Sequence, residues 1–247
     1  MLKGLLRAVV RRVSRFYTVS VADRREYGRV WDSVAQTRSD AMHAVAGYAD
    51  EAEWARSGRS TADDIAAETG LTAADTVLDI GCGAGRVGVH LAPRSRTWIG
   101  ADVSREMLAH TRQALGGAGN VEFVQLTGDG LPSSLDGRID VVYCTTVFMH
   151  LEEWDRYRYI QGAFRVLKPG GRLYVDNFSL LSPDGWALFE ATAALSPADR
   201  PPHVSKASTP QELEIFVAKA GFEAIRVRPG PMFVTILARK PGGATGA

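Results

Sequence analysis

Short apolar runs alternate along the chain with longer stretches of helical spacing. Val77-Leu78-Asp79-Ile80, three apolar residues broken by one acid, predicts a short buried strand. Further strands are predicted at Thr97-Trp98-Ile99-Gly100-Ala101-Asp102, at Val121-Glu122-Phe123-Val124-Gln125 and at Ile139-Asp140-Val141-Val142-Tyr143-Cys144. Leu167-Lys168-Pro169-Gly170-Gly171 reads as a helix end and turn leading into a fifth strand at 172–178. Helical segments separate these runs, the first at 86–91. Strands and helices in alternation predict a parallel, doubly wound α/β sheet. The last two apolar runs, 224–227 and 232–237, are separated only by Arg228-Pro229-Gly230-Pro231. That connection is too short to cross over, so the two runs pair antiparallel. The expected fold is therefore a mostly parallel seven-stranded sheet closed by an antiparallel C-terminal hairpin. A chain of 247 residues can bury a sizeable core without staples.

The first strand runs into Gly81-Cys82-Gly83-Ala84-Gly85. Glycines at alternate positions let main-chain N–H groups come close to a ligand. Residues 83–88 also satisfy G-x-G-x-x-G, but a dinucleotide site needs its first glycine at the strand end, and this strand already ends at Ile80. Asp79 separates the two chemistries. A carboxylate just before the loop repels a pyrophosphate and suits a ligand carrying an ammonium and a sulfonium, which points to S-adenosylmethionine (SAM). Asp102, at the end of the second strand, can accept from both ribose hydroxyls. Asp129, in Gly128-Asp129-Gly130-Leu131-Pro132, can accept from an adenine amino group while Leu131 packs the ring. Asp140 opens the fourth strand, far from its carboxyl end, and reads as a partner for backbone.

Taken together, these motifs make residues 75–240 resemble the class I SAM-dependent methyltransferases, in the broad group that includes ubiquinone-biosynthesis and small-molecule O-methyltransferases. The resemblance implies a Rossmann-like methyltransferase fold, with SAM as cofactor and S-adenosylhomocysteine (SAH) as product. It implies Asp79, Gly81 and Gly83 at the methionine end, Asp102 with Val103 at the ribose, and Asp129 with Gly130 at the adenine. Thr145 and Trp31 complete the expected cofactor set, and Trp54 is a further candidate to close over it. Three segments are expected: a basic amphipathic helix at 1–22, a helical cover at 23–74, and a catalytic domain at 75–247 with an acceptor-pocket or lid insertion at about 179–222. Within the cover, Ser60-Thr61-Ala62-Asp63-Asp64 reads as a helix N-terminus. Thr209-Pro210-Gln211-Glu212 reads as another, with a capping-box pattern.

Methyl transfer to a hydroxyl needs a base or a metal, whereas an amine needs only to be neutral. His150, just past the fourth strand, and Asp176, near the end of the fifth, both fall at the carboxyl edge of the sheet. His150 is the candidate base, and Asp176 the group that orients it or binds the acceptor. Asp176-Asn177 resembles the pair that helps bind Mg²⁺ in catechol-type O-methyltransferases. Those enzymes supply a further Asp after strand four, where this chain has Cys144-Thr145-Thr146, so Mg²⁺ is not favoured and no metal ligand is assigned. Trp186, Phe189 and His203 in the insertion are acceptor-pocket candidates.

Charge and cysteine usage narrow the picture further. The formal net charge is +1, and no basic stripe or nucleic-acid module points to RNA or DNA as partner. Cys82 and Cys144 have no metal-site spacing and imply a reducing compartment, so a cytoplasmic location is expected. Residues 1–20 are basic and amphipathic, with no acid before Asp23. They suit either an anionic membrane surface, which would place the protein at the inner face of the membrane, or packing as a cap or dimer helix. Oligomeric state is left open. The leading expectation is methyl transfer from SAM to a hydroxyl of a small-molecule, sugar or glycolipid acceptor. N- or C-methylation of a small molecule, RNA or protein is the alternative, and a non-catalytic SAM-binding regulator is a third.

Overall fold

The computed structural model describes residues 26–47, 50–197, 199–200 and 203–243. The basic segment 1–22 lies outside these described residues. Three helices come first: α1 (Glu26–Ser33), α2 (Arg38–Ala46) and α3 (Glu51–Thr69). Asp50 caps α3 by accepting from the Glu53 N–H at 2.8 Å. The helix then runs unbroken to Thr69, so Ser60–Asp64 lies in mid-helix and not at an N-terminus. The Thr61 hydroxyl does not cap anything there; it donates back to the Ser57 carbonyl at 3.0 Å. Trp54 is buried beside Ala35, Met42, Ala84 and Met107 and takes no part in closing over a ligand.

Seven strands follow, β1 (Thr76–Ile80), β2 (Thr97–Asp102), β3 (Val121–Gln125), β4 (Ile139–Cys144), β5 (Leu167–Phe178), β6 (Glu223–Pro229) and β7 (Phe233–Arg239). They form one sheet in the order β3-β2-β1-β4-β5-β7-β6. The first five strands are mutually parallel, and β7 pairs antiparallel with both β5 and β6. The fold class and terminal hairpin are as the sequence predicts. The helices between strands are α4 (Gly88–Leu91), α5 (Arg105–Ala114), α6 (Glu153–Val166), α7 (Pro183–Ala193) and α8 (Pro210–Ala220). Two boundaries differ from expectation. The helix predicted over 86–91 starts two residues late, as α4 at Gly88, and ends at Leu91 as predicted, before a 3-10 turn Ala92–Arg94 that contains Pro93. β5 begins five residues early, at Leu167, with the Gly170-Gly171 stretch absorbed as a register shift against β4 between Ile139 and Val141. Thr209 caps α8 as predicted, accepting from the Glu212 N–H at 3.3 Å.

Strand alternation splits the core in two. Leu78, Ile80, Val142, Cys144, Leu173 and Val175 pack on one face with α6 and α8. Val77, Trp98, Val141, Tyr143 and Tyr174 pack on the other with α3 and α4. Asp140 sits at the amino end of β4, where it accepts from the Thr76 N–H and from Lys168, both at 2.8 Å. Among the described residues no helix is long and apolar enough to cross a membrane.

Candidate active site

β1 and β2 end side by side, with Ile80 paired to Ala101. Beyond Ile80 the chain turns through Gly81 (φ +75°) and Gly83 (φ +53°), a backbone region costly for any residue with a Cβ. Space forbids a side chain as well. A Cβ on Gly81 would stand 2.3 Å from Val147, and one on Gly83 2.9 Å from Val45. The loop is pinned from beneath: the Gly81 and Cys82 N–H groups donate to the Ala101 carbonyl at 2.7 and 3.1 Å. The Gly83 N–H donates to Asp102 Oδ2 and the Ser104 N–H to Asp102 Oδ1, each at 2.9 Å. Burial raises the Asp102 pKa to about 6, against the pull of those N–H bonds. Each carboxylate oxygen keeps a lone pair for a further donor.

A cleft opens over this loop, lined by Gly81, Gly83 and Asp102, by the apolar side chains of Val103, Met107, Leu126 and Leu151, and by Trp31 and His150. It offers bare backbone on one wall, a carboxylate at its middle and an apolar slot beyond. An adenosyl group fits that arrangement, with the ribose diol on Asp102 and the base between Val103, Met107 and Leu126. Four expected cofactor residues, Asp79, Asp129, Gly130 and Thr145, do not line this cleft. Asp79 lies under the loop, on the face of β1 that it shares with Val77. It accepts from Tyr143 Oη at 2.6 Å, and Tyr143 accepts from Trp98 Nε1 at 2.9 Å. Burial pushes Asp79 up to about 7, with the Tyr143 bond opposing. Asp129 is exposed, 3.8 Å from Arg158, and Gly128 takes the place at the cleft wall that was expected of Asp129 and Gly130. Thr145 is buried, and its neighbour Thr146 lines the cleft instead, in an αL backbone (φ +59°) that is uncommon for a β-branched residue.

A second, larger cavity joins the first where Val45, Thr146 and His150 line both. Asp176 lies on its floor, buried, accepting from the Thr146 N–H at 2.8 Å. Burial raises its pKa to about 7, although that bond and the nearby Arg86 charge pull it down. Asn177, next along β5, faces the opposite side of the sheet and donates to Ser208 Oγ. The Asp-Asn pair therefore does not converge on one point. Among the described residues no group of three His, Cys, Asp or Glu side chains is placed to hold a metal ion.

His150 ends a 3-10 turn, Phe148–His150, directly after β4. Its Nδ1 is 2.9 Å from the carbonyl oxygen of His203. A carbonyl only accepts, so Nδ1 carries the hydrogen, and in the neutral ring Nε2 holds the free lone pair. Burial lowers the pKa to about 4, outweighing the His203 bond, so the ring is neutral at pH 7. The Trp31 ring meets it edge-on, with centroids 4.7 Å apart. The segment that follows His203 is tied down by Arg156, which is 3 % exposed. Arg156 donates to the carbonyls of Phe148 (2.8 Å) and Lys206 (3.0 Å) and to Ser208 Oγ (2.9 Å), and pairs with Glu212 at 3.0 Å. The Lys206 N–H adds a bond to the Met149 carbonyl at 2.7 Å.

Of the acceptor candidates in the insertion, Trp186 and Phe189 stack on each other at 5.3 Å on α7, 48 % and 46 % exposed, outside both cavities. The side chain of His203 is exposed, and its backbone makes the contact that matters. The residues that sequence reading missed are Thr146, Tyr143, Arg86, Asp64 and Arg228. The motifs they fall in give them no role in a site, and only their meeting near the carboxyl edge of the sheet marks them.

The fold is of the Rossmann-like methyltransferase type. A methyltransferase-domain family model matches residues 77–171, the stretch that carries the resemblance to class I SAM-dependent methyltransferases. It is 34 % identical over 104 residues to a ubiquinone biosynthesis O-methyltransferase of Pseudomonas fluorescens, an alignment covering 42 % of this chain and 44 % of that protein. It is also 31 % identical over 161 residues to an arsenite methyltransferase of Halobacterium salinarum, covering 63 % and 39 %. The chain thus spans less than half the length of these two relatives. Among solved structures, a SAM-dependent methyltransferase of Methanosarcina mazei superposes with a TM-score of 0.56 at 22 % identity, over 70 % of this chain and 95 % of that one. The cyclase SpnF superposes with a TM-score of 0.65 at 20 % identity, over 89 % and 96 %. These structural likenesses bear on the fold.

Proposed function

We propose that the protein transfers a methyl group from SAM to a hydroxyl of a small acceptor held in the second cavity. The observation that carries this reading is the junction of the two cavities at His150 and Thr146, where a neutral imidazole and a buried carboxyl stand beside the opening. Bound SAM supplies an electrophilic sulfonium methyl. Asp102, Val103, Met107 and Leu126 would hold the nucleoside end and the Gly81–Gly83 backbone the methionine end. His150 Nε2 takes the proton from the acceptor hydroxyl as its oxygen forms the new bond to the methyl carbon and the carbon–sulfur bond breaks. Positive charge arising on the ring is steadied by the Nδ1–H bond to His203. Asp176 accepts from the acceptor and fixes its approach, and alignment supplies much of the rate. The O-methylating Pseudomonas relative supports an oxygen acceptor, while the arsenite-methylating one marks how widely related domains vary in substrate.

The test uses SAM with a radiolabelled methyl group, the full chain, and cell extract split into lipid, aqueous, glycan and macromolecular fractions. Expected is label in a methyl ether, lost in His150→Ala while SAM affinity by calorimetry is unchanged. Label in N-methyl or C-methyl products would replace the hydroxyl reading, and bound SAM with no label in any fraction would overturn methyl transfer.

A further inference from the structure

The second cavity has walls of an unusual kind. A helix lying over a sheet normally turns an apolar stripe inward. Here α3 turns Ser57, Thr61 and Asp64 toward the cavity, one helical face of hydrogen-bonding groups. The sheet opposite is equally polar. Asp176 pairs with Thr235 across β5 and β7, and Thr235 with Arg228 across β7 and β6, so these three side chains stand in one row on one face. Tyr174, two residues down β5, shares that face. Its hydroxyl donates to Asp64 Oδ2 at 2.7 Å. Arg228 grips both oxygens of Asp64, its Nη1 at 2.7 Å from Oδ1. Helix and sheet thus present a preorganised cluster whose charges stay half in contact with the cavity, the Arg228 and Asp64 side chains being 34 % and 36 % exposed.

Its charged side chains are Arg86, Arg228, Asp64 and Asp176, and Arg228 also pairs with Glu68 at 2.8 Å. A net anion would find no surplus partner there. At the outer end of the same face, Phe178 pairs with Phe233 across β5 and β7, and their rings stack 4.7 Å apart at 15°. The cavity therefore offers a polar strip along α3 and the β5–β7–β6 face, with Val45, Met149, Met232 and the stacked Phe178 and Phe233 rings as apolar surroundings.

We propose that the second cavity is an acceptor subsite for a neutral, polyhydroxylated ring of the pyranoside type. Its hydroxyl edge lies on Tyr174, Asp64 and Arg228, and its C–H face lies on the Phe178–Phe233 stack. This deepens the methyl-transfer reading and rests on it for the reaction, but not for binding. A ring with one polar edge and one apolar face satisfies both kinds of wall at once. A flat aromatic acceptor would leave the Asp64–Arg228–Tyr174 edges facing nothing that hydrogen-bonds, and an acidic acceptor would have to compete with Asp64 and Glu68 for Arg228.

The experiment is a saturation-transfer NMR titration of the full chain, saturated with SAH. The probes are methyl pyranosides of gluco, galacto, manno, rhamno and xylo configuration, with catechol and benzoate as comparison. Expected is saturable binding of at least one pyranoside. Tyr174→Phe, which removes one hydroxyl and keeps the ring, weakens it by about three- to tenfold with SAH affinity unchanged. Phe233→Leu weakens it too. Binding of catechol or benzoate with no pyranoside saturating overturns the subsite, as does pyranoside binding indifferent to Tyr174→Phe and Phe233→Leu. If SAH itself fails to bind, the methyl-transfer reading falls separately, and the same titration on the ligand-free chain still decides the cavity.

Discussion

Three buried carboxylates crowd the carboxyl edge of the sheet, Asp79, Asp102 and Asp176, and burial raises each pKa. For Asp176 the folded value is about 7 against an ordinary 3.8. Between those two values the folded state holds a proton that the unfolded state has released, so the contribution of this group to stability falls as pH rises through that window. Asn in its place keeps an oxygen for the Thr146 N–H and carries no charge to desolvate. Asp176→Asn is therefore expected to gain in melting temperature relative to wild type from pH 4.5 to pH 7.5 and to level off above. Calorimetric scans of both proteins across that range check it, and a flat or declining difference would show that the carboxyl is not held protonated. At this scale the sequence was partly readable. Asp102 and the glycines announced themselves by spacing. Asp79 did not reveal that it faces away from the cleft, because its orientation depends on which side of β1 the loop folds over.

Arg156 shows how elements, more than single residues, set the state of the candidate base. It is on α6, yet it ties the turn after β4 to the segment 203–208 and to α8 through Glu212. Since the His203 carbonyl selects the His150 tautomer, Arg156 positions the imidazole without touching it. In wild type, ¹⁵N NMR should find His150 as a single Nδ1–H tautomer, neutral down to about pH 4. Arg156→Met should mix the tautomers and move the pKa toward the ordinary 6.5 as the segment loosens and the ring hydrates. It should also cost about 3–5 kcal/mol, because Glu212 and two carbonyls lose their donor. Arg156→Lys should restore part of the signature. A Met variant that folds with an unchanged tautomer and pKa would detach the segment from the base. Strand and helix positions were legible from periodicity, and so was the Thr209 cap. The length of α3 was not, because Ser60–Asp64 looks like a cap until Asp50 is seen to do that work.

At the scale of the molecule, the sheet edge brings together α1, α2, α3 and the ends of five strands around two joined cavities. A ligand held by that many elements should stabilise the whole fold. SAH at a hundredfold its dissociation constant contributes about 2.7 kcal/mol. For a chain of this size that is a rise in melting temperature of about 5–11 °C. The rise should be smaller at pH 5 than at pH 8, because Asp102, at about 6, must be ionised to accept from both ribose hydroxyls. Thermal scans with and without SAH at the two pH values check both statements, and equal shifts at the two pH values would remove Asp102 from the ribose.

The sequence by itself determined the α/β class, the five parallel strands, the terminal hairpin and the tight glycine loop after β1. Each of these is written in local periodicity or in residues whose spacing is fixed by a short stretch of backbone. Tertiary structure alone decided the acceptor side. Asp64, Arg86, Tyr174, Asp176 and Arg228 come from four separate segments, β5 supplying both Tyr174 and Asp176, and meet only when α3 lies across β5 and β6. It also decided that Trp186 and Phe189, aromatic and well placed in the sequence, stand outside the cavities. Which side chains share a space depends on how helices pack over the sheet, and no local pattern records that packing.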